Sequence, residues 1–173
     1  MAQTKRNDYT AEGKGIKMWL LVISAILFPL LVFFMPKRIP LMDLYATTGM
    51  ATYFQLLTDV YLHIKLDWYG YFSDNQKAEW PTTLLTPLYL SINPLFLNFY
   101  PYDRSKFIKI LYMGVWTVFS VLYEWIATKT GMFYHEEWKL YHSALTYPFL
   151  FILLRLQLSL VRHLRKREEP GCS

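Results

Sequence analysis

Residues 18–35 read MWLLVISAILFPLLVFFM, a run of 18 residues without a charge. A second uncharged stretch, PTTLLTPLYLSINPLFLNFYPY, fills residues 81–102. An uncharged, mostly apolar run of about 18 residues or more is the mark of a helix built to cross a bilayer. The first run is longer than the h-region of a secretory signal. It ends in "MPKRIP" with no small-residue cleavage site, so it reads as a retained span.

Working outward, the rest of the chain supports that class. Of 173 residues, 54% are hydrophobic and 18% aromatic, with mean hydropathy +0.16. Five apolar segments emerge, at 16–35, 43–64, 82–100, 107–128 and 140–161. The expected fold is all-α, an integral membrane bundle of five transmembrane helices. The alternative has four spans, with 43–64 lying along the interface, because that segment holds Gln55, Asp59 and several threonines. Its "ATTGMAT" favours the span, since small residues let helix backbones approach closely. A barrel would need short alternating strands, which these runs are too continuous to supply. The expected organisation is a disordered polar N-tail at 1–14, one transmembrane domain at 15–162 and a basic C-tail at 163–173. Short connections make neighbouring spans antiparallel hairpins.

The single cysteine, Cys172, excludes a disulfide scaffold and a cysteine metal knuckle. Net charge +5 could suggest nucleic acid, but the basic residues flank spans, where they contact headgroups. The lipid bilayer is therefore the expected partner, with a homo-oligomer open and no nucleic acid. Trp68, Tyr69, Tyr71, Trp80, Tyr134 and Trp138 sit just outside the spans, the usual place of an interfacial belt. Lysine and arginine divide eight to nine between the two sides of a five-span layout, leaving orientation open. The dense C-terminal cluster points the C-tail to the cytoplasm of a plasma-membrane, multi-pass protein.

The polar residues within the spans carry the functional question. Thr48, Thr52, Gln55, Asp59 and His63 are spaced to share one helical face. Thr117, Ser120, Glu124 and Thr128 make a second stripe, in "SVLYEWIATKTG" at 120–131. A charged carboxylate near the bilayer centre costs about 2.5–3.5 kcal/mol even on the gentlest scale. Both stripes should thus face a shared interior, with Glu124 looking across at Asp59. Counting at about 1.5 Å per residue puts both acids roughly 6–7 Å inside the same surface, and Arg155 roughly 20 Å from it. Arg155 is then too far to pair with Glu124 and should reach towards the C-tail side.

Three readings compete for this region. The polar groups are glue between helices; or they bind a proton, a cation or a small polar or lipid ligand; or they form an intramembrane metal-dependent enzyme. The binding candidates are Asp59, Glu124, His63, Gln55, Ser120 and His142. The metal candidates are Asp59, His63, Glu124, His135 and His142, because carboxylate and imidazole suit several divalent ions. "HEEWK" is not the H-E-x-x-H zinc motif, and no nucleophile elbow or phosphate loop is present. The sequence leaves any cofactor unknown. Pro87 and Pro94, seven apart in the third segment, read as kinks.

The order of "MPKRIP", "LLTDVYLH", "WYGYF", "EWP", "FYP", "YEW" and "GMFYHEEWKLYHSALTYP" resembles a family of uncharacterised small multi-pass membrane proteins of endospore-forming Firmicutes. The matching positions are Asp59, Tyr69, Trp80, Pro101, Glu124, Gly131, Tyr134, Trp138 and Ser143. The resemblance covers about residues 16–155. It implies a bacterial plasma-membrane protein and brings no activity, substrate or cofactor.

Overall fold

The apolar runs become five helices in a computed structural model that describes residues 11–65, 68–71, 83–135 and 139–168. Helix α1 spans Ala11–Phe34, α2 Leu41–Asp59, α3 Leu85–Phe99, α4 Lys106–Lys129 and α5 Leu140–Glu168. Three of these differ informatively from the expected segments. α2 gives way at Asp59 to one π-helical turn, Val60–Lys65. α3 begins only at Leu85, so Pro87 lies in its first turn, where a missing N–H has no intrahelical partner to lose. Only Pro94 interrupts that helix. α5 continues through the basic residues as far as Glu168, well into the segment expected as a tail.

Two short strands join the connections. β1, Tyr69–Tyr71, pairs antiparallel with β2, Phe133–His135, with Gly70 opposite Tyr134. Gly131 makes this possible. Its φ of 71° is the left-handed conformation that ends many helices. Gly131 N–H reaches Thr128 O at 3.0 Å and Met132 N–H reaches Ala127 O at 2.9 Å, the two bonds of a Schellman cap. Ala127 and Met132 pack in one buried cluster, the apolar contact that accompanies such a cap. Replacing Gly131 with alanine should lower stability by about 1 kcal/mol, because a Cβ disfavours that φ. Thermal unfolding in detergent measures it, and an unchanged midpoint would mean that the cap carries no weight.

The β1–β2 pair gathers the C-terminal ends of α2 and α4 at one end of the bundle, as the helix count required. Asn98 ties the opposite end. Its Oδ1 accepts from Arg38 N–H and its Nδ2 donates to Pro36 O, both at 2.8 Å, so the α1–α2 turn is pinned to the end of α3. Helices consecutive in the chain are thus antiparallel, which leaves α1 and α3 parallel. α1 packs on α3, α4 on α5, and α2 lies against both α3 and α5. Tyr123 of α4 donates to Ser24 Oγ of α1 at 2.8 Å and brings those two helices together.

Phe96, fully buried, centres the core at the Asn98 end. Its ring stacks on Phe151 with centroids 4.4 Å apart and planes at 17°. Trp116 meets it edge-on at 5.8 Å. A second apolar cluster joins Leu21, Leu85, Leu88, Ala127 and Met132 at the other end.

The outside of the molecule is unusual for a protein in water. Phe33, Phe34, Tyr45, Phe107, Ile110 and Leu145 are each more than two-thirds exposed. They belong to a set of exposed large apolar side chains that runs over all five helices. α2 is inverted outright. Asp43, Thr47, Thr48 and Thr52 are buried, whereas Met42, Tyr45, Met50, Tyr53, Leu56 and Leu57 are exposed. By length and composition, α4 and α5 are each able to cross a membrane, and Trp19–Phe34 is a shorter apolar helix.

Candidate functional site

Glu124 sits on α4 about two turns before Gly131 and is 7% exposed. Both its oxygens accept from hydroxyls of α5. Ser143 donates to Oε1 and Tyr147 to Oε2, each at 2.7 Å. Short O–H···O⁻ contacts of this kind are the strong charge-assisted hydrogen bonds. Ser143 and Tyr147 are one turn apart, and Phe151, Leu154 and Leu158 continue the same inward stripe of α5. The stripe therefore delivers two donors to one carboxylate and then becomes core.

Asp59 ends α2 where the π-turn begins, a kind of helix irregularity frequent at functional sites. Its Oδ2 accepts from the Tyr89 hydroxyl of α3 at 3.0 Å. Glu124 is thus bonded from α5, and Asp59 from α3. α5 is the neighbour of both helices, so its side chains connect the two polar faces.

The remaining candidates fall in different places. The Ser120 hydroxyl donates to Trp116 O at 2.9 Å, and Thr117 and Thr128 likewise bond carbonyls one turn back in α4. The second stripe is therefore largely satisfied by its own helix, and Glu124 alone of its members is buried. Gln55 is half-buried on the inward side of α2. His142 Nδ1 accepts from Lys139 N–H at 3.1 Å, capping the start of α5 as the third helical residue of a capping box does. The side chains of His63 and His135 lie outside the described part of the chain. Among the described residues no group of three His, Cys, Asp or Glu side chains converges as a metal site.

The far end holds a second charged cluster. Asp43, in the first turn of α2, is fully buried. Arg165 approaches it with Nε at 3.0 Å from Oδ1 and a terminal nitrogen at 3.1 Å from Oδ2. The Nε contact is close but poorly aligned for a hydrogen bond, so attraction of opposite charge dominates it. Arg162 Nε adds a contact at 3.6 Å. An acid at a helix start and a base at a helix end each complement the backbone dipole there. Arg155 lies over the rings of Tyr100 and Tyr102 at 4.6 and 4.7 Å, at this end and away from Glu124. Burial pushes the Tyr102 hydroxyl above its ordinary range, with Arg155 and Arg162 pulling it back.

Sequence reasoning singled out Glu124 and Asp59 but assigned no partner role to Tyr89 or Tyr147, and none to Asp43. The spacing of Ser143, Tyr147, Phe151, Leu154 and Leu158 was the available signal for an inward α5 stripe. Nothing local pairs Asp43 with Arg165 across 122 positions. Compared with known proteins, the chain matches no family model, no curated protein and no solved structure, so its reading rests on its own residues.

Proposed function

We propose that this chain is a five-span integral membrane protein whose Glu124–Asp59 region binds a proton or a small cation. The observation that carries the reading is the buried Glu124 carboxylate, held on both oxygens by hydroxyls of a neighbouring helix. A buried carboxylate flanked by hydroxyl oxygens, with a second acid on α2, offers hard oxygen donors. Such a set suits a proton or a small cation with oxygen ligands. The inverted α2 and the exposed apolar surface support placing all five helices in lipid, where such residues face chains instead of water. The resemblance to small membrane proteins of endospore-forming bacteria is compatible with a plasma-membrane location. Arg162, Arg165, Lys166 and Arg167 support a cytoplasmic C-terminus.

Infrared difference spectroscopy tests the site. The wild type should show a protonated carboxyl band that titrates with pH, and Glu124→Gln should abolish or shift it. Divalent or monovalent cations that bind there should displace the band in competition with protons. If no titrating carboxyl band exists, and both Glu124→Gln and Asp59→Asn alter only thermal stability, the acids serve only to join helices.

A further inference from the structure

The inward half of α2 is polar along its whole length. From one end to the other it presents Asp43, Thr47, Thr48, Thr52, Gln55 and Asp59, with only Leu44 and Ala51 between them. Those 16 steps cover about 24 Å at the rise of an α-helix, most of the thickness of a bilayer's hydrocarbon core.

The threonine hydroxyls on this half behave unlike the others in the molecule. Thr58, Thr117, Ser120, Thr128 and Thr146 each donate to the carbonyl one turn back, the ordinary way for a helix to satisfy a hydroxyl. Thr47, Thr48 and Thr52 are more than nine-tenths buried, and among the described residues their hydroxyls have no partner at all. Asn93 Nδ2 on α3 and Gln157 Nε2 on α5, the two helices against which α2 packs, are also buried atoms without a partner, on side chains that are only half-buried. Their levels agree. Gln157 lies eight residues before Arg165, which sets it opposite position 51 of antiparallel α2. Asn93 lies four residues after Tyr89, opposite position 55. Buried polar atoms are almost always satisfied. Three orphaned hydroxyls on one buried half of α2, between two charged clusters and with two more orphans at matching levels of the facing helices, mark a place that water completes.

We infer that α2, α3 and α5 enclose a hydrated proton pathway from the Asp43–Arg165 cluster to the Asp59–Glu124 site, with the Asp43–Arg165 pair closing the end next to the C-terminus. This rests on the proton-binding reading of that site. Hydroxyls and amides both donate and accept, so a chain of water between them passes a proton by exchanging hydrogen bonds. An excess proton enters at one end, each hydrogen bond is relayed, and a proton leaves at the other with no net change in the side chains. Arg165, held over the mouth by Asp43, repels a positive charge and keeps the pathway shut.

The full chain reconstituted in liposomes, with a pH-sensitive dye inside and a potassium diffusion potential, provides the test. Arg165→Gln should raise proton flux at least tenfold over empty liposomes. Adding Thr47→Val, Thr48→Val and Thr52→Val, which keep shape and remove the hydroxyls, should return flux to the empty-liposome level. Flux from Arg165→Gln no faster than empty liposomes, or unchanged by the three valines, overturns the pathway.

A second measurement is independent of that variant's folding. In a Cys172→Ser background, Thr52→Cys should react with a small water-soluble thiol reagent at least tenfold faster than Leu44→Cys, which is equally buried on the same half of α2. Equal rates would also overturn the pathway. A carboxyl band that titrates while these measurements fail removes the pathway and leaves the site; loss of the band removes the site itself.

Discussion

Replacing Arg165 with glutamine is expected to lower the unfolding free energy by about 3 kcal/mol, and replacing Asp43 with asparagine by about half as much. The asymmetry follows from burial. Asp43 is 1% exposed at its side chain, whereas Arg165 is 37% and Arg162 33% exposed. Removing the arginine leaves an acid sealed in the interior with one weaker contact, at 3.6 Å. Removing the acid leaves a guanidinium that already reaches outward and can be solvated there. Asparagine also retains an acceptor for the arginine. Unfolding titrations in mixed micelles measure both variants. Equal losses would show that the pair is not enclosed as its geometry requires. A larger loss from Asp43→Asn would put the dominant cost on the guanidinium instead.

Tyr147→Phe is expected to cost about 2 kcal/mol, because a buried carboxylate then lacks one of its two hydroxyl donors. Glu124→Leu should cost at least as much, since it removes the acceptor that both Ser143 and Tyr147 use. Glu124→Gln should be milder, about 1 kcal/mol, because an amide can accept from one hydroxyl and donate to the other. The double variant Glu124→Leu/Tyr147→Phe decides whether the contact exists. Its loss should fall short of the sum of the single losses by about 1 kcal/mol, the coupling of a direct bond between helices. Strict additivity would mean that the two residues act separately. Phe96→Ala supplies a scale for comparison, as loss of a central aromatic core residue costs about 3–5 kcal/mol.

The helices were legible because uncharged runs and polar stripes are local properties. So was the burial of Glu124, since a lone acid within an apolar face has few other places to go. The depth count also separated Arg155 from Glu124, and Arg155 does lie at the opposite end, against Tyr100 and Tyr102. Two things were not legible. The stripes on α2 and α4 suggested direct opposition, but periodicity gives the direction of a face and not the identity of its neighbour. α5 is the neighbour in both cases, and its own stripe is mainly apolar, which conceals the two hydroxyls that join the site. Asp43 was hidden differently. It stood at the edge of the weakest segment, where an acid reads as a boundary, while its nearest partner, Arg165, lay in what read as a basic C-terminal tail.

The Asp43–Arg165 contact also bears on how the chain is made. Its two halves are 122 residues apart, and synthesis at ~5–20 residues per second separates them by on the order of ten seconds. During that interval α2 carries an acid with no mate, in a helix whose inward half has little to bury. A chain broken off before residue 162 never acquires the mate. Such a fragment would keep a buried negative charge on α2 without its compensating arginines.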